Sequence, residues 1–140
     1  LNVLITNPRD TSAFIEEMKK WPFTFFNGVN TLYESLLNHP EIKNVNFDSM
    51  KLSGCGGMAT LKSTAERWYE LTGKVLLEGY GLSETSPGVT VSPAYTEKFT
   101  GTVGLPIPNT EISIRDDDGN EVERGQPGEI CIRGPQVMQG

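Results

Sequence analysis

The residue types best suited to chemistry lie together in one stretch, Glu78-Gly79-Tyr80-Gly81-Leu82-Ser83-Glu84-Thr85. The Tyr80 ring can stack on a nucleotide base, and the Ser83 hydroxyl can donate a hydrogen bond to a phosphate oxygen. The Glu84 carboxylate is a hard oxygen ligand of the kind that Mg²⁺ binds, and attack on phosphorus needs such neutralisation of charge. The same residue types also suit an ordinary capped polar loop, so both interpretations stay open on composition alone.

A second glycine-rich turn, Gly54-Cys55-Gly56-Gly57, precedes a predicted helix. Glycine lets a backbone approach a flat or phosphorylated ligand closely because no Cβ intervenes, and a helix N-terminus offers free N–H groups to an anion. A plain tight turn is the commoner meaning of such a cluster. Both turns follow strand-like runs, and ligands in α/β sheets bind at the carboxyl ends of strands.

Other groups that could do chemistry have simpler interpretations. The aspartates at residues 116–118 precede Gly119-Asn120 between two alternating segments, which is typical of a solvated hairpin tip rather than a metal site. The single histidine, His39, precedes Pro40 in a polar turn and is interpreted as a solvated loop residue. An aromatic cluster either forms core or lines an apolar pocket, and core is commoner; it comprises Trp21, Phe23, Phe25, Phe26 and Tyr33.

Strand-like and helix-like patterns alternate over the first hundred residues, which indicates an α/β layer with parallel strands. We predict strands at residues 3–6, 23–26, 51–53 and 75–77. We predict one helix capped by Asp10 or Thr11 and ended by Trp21-Pro22, and a second over residues 31–37. A third helix is predicted to begin with Thr60 as its cap and to end at Gly73.

The pattern changes near residue 100. Residues 111–115 and 129–133 alternate polar and apolar side chains, with turn residues 117–120 between them. We therefore expect two segments, residues 1–99 and 100–140. The first is an α/β segment whose partly parallel sheet has flanking helices and carries the candidate loops. The second is part of an antiparallel β-barrel, left incomplete at residue 140.

Composition narrows the classes of partner. The net charge is −6 and the 12 Lys and Arg residues are scattered, whereas nucleic-acid binding needs a basic face. We therefore expect no nucleic-acid partner. Two distant cysteines favour a reducing compartment, and no apolar run reaches the roughly 18 residues of a membrane span. The chain begins without Met and has no signal peptide or polar tail, so we expect a piece of a longer protein.

The stretch from Glu78 to Pro87 resembles the signature of the adenylate-forming superfamily, which reads Tyr-Gly-x-Thr/Ser-Glu. Further segments along the entire chain look like bacterial long-chain fatty acyl-CoA synthetases. They are Ile5-Thr6-Asn7-Pro8-Arg9-Asp10, Phe26-Asn27-Gly28-Val29-Asn30-Thr31-Leu32-Tyr33, Ala65-Glu66-Arg67-Trp68, Gly101-Thr102-Val103-Gly104-Leu105-Pro106 and Gly134-Pro135-Gln136-Val137-Met138. Several separated motifs in the right order make a chance similarity very improbable.

The resemblance implies a reaction in two steps. A fatty acid carboxylate attacks the α-phosphate of ATP to give an acyl-adenylate and pyrophosphate, and coenzyme A then displaces AMP to form the thioester. The resemblance implies that nucleotide is bound by Gly56, Gly57, Met58, Glu78, Gly79, Tyr80, Gly81 and Ser83. It further implies Mg²⁺ as cofactor at Glu84, and an acyl tunnel walled by Phe26, Gly28, Val29 and Tyr33.

The sequence departs from the family pattern at two positions. Ser83 stands where threonine is commoner, and it keeps the hydroxyl. Glu78 stands where many relatives carry glutamine; an ionised carboxylate only accepts hydrogen bonds, which the exocyclic amine of adenine can donate. The resemblance also implies that the phosphate loop would precede Leu1 and that the ribose-binding aspartate and catalytic lysine would follow Gly140. We therefore expect no complete catalytic set, and no synthetase activity, in these 140 residues alone.

Alternative functions share these features. An aryl- or acetyl-CoA synthetase, or an amino-acid adenylation domain, would carry the same loop, although residues 27–33 favour a fatty acid. A binding module without chemistry would use the open strands after residue 100 as an assembly surface, and exposed strands also favour self-association. The resemblance implies a cytoplasmic enzyme with peripheral docking at the inner membrane.

Overall fold

The computed structural model describes residues 2–139. Its α-helices are α1 (Thr11–Lys20), α2 (Asn30–Asn38) and α3 (Lys62–Thr72). Its strands are β1 (Phe25–Gly28), β2 (Leu52–Cys55), β3 (Leu76–Gly81), β4 (Gly88–Val91), β5 (Leu105–Pro106), β6 (Glu111–Arg115) and β7 (Glu129–Arg133). Short 3₁₀ helices lie at Pro40–Asn44 and Ser83–Thr85.

Strands β1 to β5 form one sheet in chain order. β1, β2 and β3 are parallel, whereas β4 and β5 add to the sheet in antiparallel fashion. The register pairs Gly28 with Cys55 and Cys55 with Glu78, so the last residues of β1 and β2 lie in one row with the middle of β3. The predicted α/β class with a partly parallel sheet is confirmed.

The second sheet is the antiparallel pair β6 and β7, in register from Glu111 opposite Arg133 to Arg115 opposite Glu129. A tight turn follows β6, in which the Asp116 carboxylate accepts hydrogen bonds from the backbone N–H groups of Asp118 and Asn120. The first sheet extends to Pro106 through β5. The division into domain segments 1–99 and 100–140 stays a prediction.

All three helices pack on one face of the first sheet, around Phe26 of β1. The Phe26 ring contacts Phe14 of α1, Tyr33 of α2 and Trp68 of α3, with ring centroids 5.3–6.0 Å apart. The indole N–H of Trp68 also donates to the Ser53 hydroxyl at 2.9 Å. This arrangement confirms that Phe26 and Tyr33 belong to the aromatic core between the helices and the sheet.

The opposite face of the sheet is exposed at β1, β4 and β5, although Leu77 of β3 is buried on it. Successive strand residues point to opposite faces, so Phe25, Val91 and Leu105 lie on the face away from the helices. Their exposed fractions are 60%, 49% and 57%. The aromatic side chain of Phe25, predicted as part of a buried run, therefore lies on the surface of this chain.

Two local predictions were wrong. Residues 3–6 have no strand partner among residues 2–139, so their apolar run does not form a strand there. Thr60 does not cap α3: the helix begins at Lys62, and the N-cap residue is Leu61. No side chain caps α3, although the backbone N–H of Leu61 donates to the Asn30 side-chain oxygen at 2.9 Å. Gly73 ends α3 with a positive φ of 66°, as predicted.

Candidate functional site

The ends of β1 and β2 and the middle of β3 touch one another through backbone atoms. The N–H of Gly56 donates to the Gly28 carbonyl at 3.2 Å. A Cβ placed on Gly56 would lie only 3.2 Å from the Gly79 carbonyl oxygen. Glycine at 56 therefore keeps the β2 exit close against β3, and the predicted nucleotide residues of both turns lie side by side.

The turn after β2 exposes its backbone to solvent. Gly57 has a φ of +78°, a left-handed conformation that favours glycine. Met58 follows with 49% of its surface exposed, and Val29 at the start of α2 lies beside Gly57. The turn therefore offers a flat strip of main chain, flanked by the exposed side chains of Met58 and Val29.

Glu78 is the buried carboxylate of the site, with 8% of its surface exposed. Ser92 of the segment after β4 holds its main chain: the Ser92 N–H donates to the Glu78 carbonyl at 2.7 Å, and the Glu78 N–H donates to the Ser92 hydroxyl at 3.2 Å. Burial raises the pKa of Glu78 above its ordinary value, and the neighbouring Thr60 opposes that rise. Glu78 is thus fixed by its backbone while its side chain stays in a poorly solvated place.

Thr60 connects this carboxylate with the end of β2. Its hydroxyl oxygen is buried and has no hydrogen-bond partner among the described residues, although it neighbours both Cys55 and Glu78. Burial likewise raises the pKa of the Cys55 thiol. Sequence reasoning missed Thr60 as a site neighbour, because its position before α3 was explained by a capping role that the structure does not give it.

Tyr80 and Gly81 lie where β3 pairs with β4. Tyr80 is half-buried and opposes Thr90, and the register shifts between Tyr80 and Gly81. A Cβ on Gly81 would overlap the Pro87 carbonyl oxygen. Glycine at 81 therefore allows the chain to fold back on itself immediately before the polar residues of the loop.

Residues 82–87, which we call the signature loop, are closed from inside by Thr85. The Thr85 side chain is buried; its hydroxyl accepts from the Leu82 N–H at 3.0 Å and donates to the Pro87 carbonyl at 2.7 Å. Ser83 and Glu84 lie on the outside and are exposed. Thr85 was not assigned a role from sequence, although a second hydroxyl two residues after Ser83 was a signal for internal bonding.

The turn at residues 134–138 lies against the signature loop from the far end of the chain. The Met138 N–H donates to the Glu84 carbonyl at 2.8 Å. The side-chain amide of Gln136 donates to the Gly88 carbonyl at 3.2 Å and to the Thr110 hydroxyl at 2.7 Å. Sequence reasoning assigned no role to Gln136, since nothing in its spacing shows that it reaches a loop near residue 84.

The four residues predicted for the acyl tunnel occupy two layers. Gly28 is half-buried, and Val29 is 40% exposed and lies next to Gly57. Tyr33 is fully buried behind them and donates its hydroxyl to the Gly54 carbonyl at 2.7 Å. Burial raises the pKa of Tyr33, so this hydroxyl is a neutral structural donor. Phe26 is half-buried and stacks on Trp68.

The donor set around Glu84 fits a divalent cation that takes most of its ligands from elsewhere. Glu84 is exposed, and the ion pairs of residues 2–139 involve other side chains, on α1, α3 and at Glu41. No group of three or more His, Cys, Asp and Glu side chains that could hold a metal occurs in the described part of the chain. Mg²⁺ commonly binds through one or two carboxylates together with waters and substrate phosphates, which one free carboxylate suits.

Membrane insertion through a helix is not supported by the described residues. Within residues 2–139, each helix is too short or too polar to cross a bilayer.

The family model and the relatives that match this chain agree with one another. The family model described as AMP-binding enzyme matches residues 2–140. The chain is 53% identical over 139 residues to a long-chain-fatty-acid–CoA ligase of Escherichia coli O157:H7, and 49% identical over 138 residues to one of Haemophilus influenzae. These matches include 99% of this chain and 25% of each relative, so the chain spans about a quarter of their length.

A solved structure has a fold similar to that of this chain. The crystal structure of ATP-bound MatB from Rhodopseudomonas palustris superposes with a TM-score of 0.80 at 30% identity. The superposition includes 94% of this chain and 26% of that protein. The fold of the five-stranded sheet and the second small sheet therefore recurs in a protein crystallised with ATP.

Proposed function

This chain belongs to the AMP-binding enzyme family, and from that premise we propose that it is the nucleotide-binding part of a long-chain fatty acid–CoA ligase. One observation carries the proposal: the ends of β1 and β2 lie in register with Glu78 of β3, the strand that leads into the signature loop, in a chain about half identical to such ligases. In the proposed reaction, a fatty acid, ATP and coenzyme A give acyl-CoA, AMP and pyrophosphate.

The nucleotide is proposed to lie across the glycine-rich edge of the sheet. The exposed main chain of Gly56, Gly57 and Met58 borders one side of adenine, and Glu78 to Gly81 border the other side. The Glu78 carboxylate accepts a hydrogen bond from the exocyclic amine. Ser83, exposed on the signature loop, donates its hydroxyl to phosphate oxygens. Close approach of the base is possible because Gly56 and Gly79 present no side chain there.

Glu84 is proposed to bind Mg²⁺ together with the phosphates of ATP. The metal would neutralise negative charge that develops when the fatty acid carboxylate attacks the α-phosphate. Support comes from the free, exposed carboxylate of Glu84 and from the hydrogen bond that holds its carbonyl. The side chain is thereby presented on a fixed backbone.

The acyl chain is proposed to enter beside Gly28 and Val29, which lie at the surface, with Phe26 and Tyr33 supporting them from behind. A side chain at 28 would approach Leu32 to 3.0 Å and Tyr33 to 3.4 Å. Glycine there therefore keeps space open between the sheet edge and α2. Apolar residues at this position suit a hydrocarbon chain better than an amino acid substrate.

Pyrophosphate release by the full-length protein that carries this chain tests the proposal. Palmitate, ATP and Mg²⁺ should give palmitate-dependent pyrophosphate, and added coenzyme A should give palmitoyl-CoA. Glu84→Gln, which keeps size but removes charge, should lower the rate by about 100-fold or more, in line with the loss of a charged transition-state contact. Turnover of benzoate, acetate or an amino acid in place of palmitate would contradict the fatty acid assignment.

Location and association are further parts of the proposal. We propose that the enzyme works in the cytoplasm, docking peripherally on the inner membrane where fatty acids arrive. Flotation of the full-length protein with phospholipid vesicles tests the docking, and recovery only in the lipid-free fraction would contradict it. Residues 1–140 alone are proposed to self-associate through exposed strands, and to lack synthetase activity.

A further inference from the structure

The 134–138 turn holds the signature loop at two points. The Met138 N–H binds the carbonyl of Glu84 in the middle of the loop, and the Gln136 amide binds the carbonyl of Gly88 immediately after it. Thr85 closes the loop from inside but does not attach it to the rest of the chain. The signature loop, which carries Ser83 and Glu84, is therefore attached to the second sheet by the contacts from residues 136 and 138.

The chemistry of the contact fixes the orientation of the Gln136 amide. A carbonyl oxygen can only accept a hydrogen bond, so the nitrogen of the amide must face Gly88. The same nitrogen donates its second hydrogen to the Thr110 hydroxyl at 2.7 Å. Both amide hydrogens are thus used, and the two acceptors lie in different parts of the chain.

Gly134 provides the space in which this amide lies. A Cβ on Gly134 would overlap the Gln136 side-chain oxygen, while its backbone φ is not in the left-handed region. An alanine at 134 therefore fits the backbone but displaces the amide. The chain offers two independent substitutions, one that removes the amide and one that moves it.

We propose that Gln136 is a positioning residue that sets the signature loop for binding of the metal–nucleotide complex. This inference rests on the proposed function and adds to it a residue outside the nucleotide site. Gln136 touches neither the nucleotide nor the metal; it acts through the Gly88 carbonyl, and so on the backbone that presents Ser83 and Glu84. Its effect belongs to the step in which ATP is attacked.

The test separates the two half-reactions in the full-length protein. Pyrophosphate release from palmitate and ATP is measured over a Mg²⁺ titration, and the conversion of preformed palmitoyl-adenylate and coenzyme A to palmitoyl-CoA is measured separately. For Gln136→Ala we expect about a tenfold increase in the Mg²⁺ concentration that gives half the maximal rate, the size expected for losing two hydrogen bonds. We expect the second half-reaction to change by less than about twofold, because pyrophosphate has left before it.

Gln126→Ala is the matched control, since Gln126 is exposed and its side chain makes no hydrogen bond among the described contacts. It should leave both half-reactions unchanged. Gly134→Ala should reproduce the Mg²⁺ effect of Gln136→Ala, which keeps the test valid if one variant folds poorly. The double variant should show the effect of one substitution rather than the product of two, because both act through the same amide.

Three outcomes would overturn the inference. They are an unchanged Mg²⁺ titration in a folded Gln136→Ala protein, an equal loss in both half-reactions, or multiplicative effects of the two substitutions. Absence of palmitate-dependent turnover in the unsubstituted full-length protein contradicts the proposed function itself. An active unsubstituted protein with a normal Gln136→Ala variant contradicts the positioning role alone.

Discussion

Beside the proposed adenine site, the side chain of Glu78 is a buried carboxylate with few hydrogen bonds. Glu78 lies between the ends of β2 and β4, and its pKa is raised by burial. The raised pKa means that the folded protein holds this proton to a higher pH than a free glutamate does. An ionised carboxylate makes a stronger, charge-assisted hydrogen bond to a donor than its protonated form does.

ATP affinity should therefore depend on pH through Glu78. As pH falls through the raised pKa, the carboxylate is protonated, and we expect the Kd of the full-length protein for ATP to rise by about three- to tenfold. Glu78→Gln should flatten this part of the profile because it cannot titrate. Calorimetric titration across pH 5 to 8 measures it, and an identical profile for both proteins would exclude Glu78 as the titrating group.

Thr85 is expected to matter for the shape of the signature loop. Thr85→Val keeps the side-chain volume but removes the hydroxyl, leaving the Pro87 carbonyl and Leu82 N–H with one partner fewer. We expect a loss of about 1–3 kcal/mol in stability and a lower adenylation rate. Thermal unfolding and pyrophosphate release measure the two effects. Thr31→Val is the control, since Thr31 is exposed at the start of α2; equal losses in both variants would contradict the internal role of Thr85.

At the scale of elements, the closest backbone approach in the candidate site lies where β3 pairs with β4. Gly81 and Gly88 lie opposite each other, but only a Cβ on Gly81 would overlap the backbone of its neighbour Pro87. The nearest atom to a Cβ on Gly88 is a side-chain carbon of Ile107 at 3.8 Å. An alanine at residue 81 is therefore expected to disturb the backbone, whereas an alanine at residue 88 is not.

Gly81→Ala should destabilise the fold by about 3 kcal/mol or more, because the backbone must move to admit the methyl group. Gly88→Ala should change the stability by less than about 1 kcal/mol. The thermal unfolding midpoints of the two purified variants test these expectations. Similar midpoints would show that the turn after β3 can relax at little cost.

The α/β class, the order of the elements and the strand ends that carry the loops could be predicted from sequence, because apolar runs and glycines mark them. Boundaries were less predictable. The run at residues 23–26 forms a strand at Phe25–Gly28, since pairing with β2 extends the backbone of Asn27 and Gly28 although neither is apolar. The start of α3 could not be foreseen, because the N–H of its N-cap residue Leu61 is bound by Asn30, far away in the sequence.

The residues of the candidate site also divide into those that the sequence could indicate and those that it could not. Ser83 and Glu84 could be found from sequence because their residue types and spacing follow a recognisable motif. Thr60, Ser92 and Gln136 could not, since each reaches the site through a tertiary contact that leaves no period or motif in the chain. Local patterns therefore indicate candidate binding residues, whereas the residues that hold them in place depend on the fold.

At the scale of the whole molecule, the face of the first sheet away from the helices exposes apolar side chains. Phe25, Val91 and Leu105 expose about half or more of their surface on that face, and β5 is an edge strand. Exposed apolar strands of this kind associate readily. In relatives four times as long, other parts of the polypeptide are available to lie against it.

Residues 1–140 expressed alone should therefore form dimers or larger species in light-scattering measurements. Leu105→Lys should shift the chain toward the monomer, because a lysine on an edge strand opposes pairing. Thr102→Lys, an equal change of charge at an exposed loop position, is the control. A monomeric chain without either substitution would contradict association through this face.

The contact between Gln136 and Gly88 joins residues that are 48 positions apart in the chain. Closing a loop of that length costs entropy before the contact stabilises anything, and synthesis delivers residue 88 well before residue 136. The parallel strands can pair earlier, since their residues are already present. Folding of the candidate site therefore has an order in time: the parallel strands can pair first, and the signature loop, proposed to bind the phosphates, takes its final shape only after residues 134–138 have been synthesised.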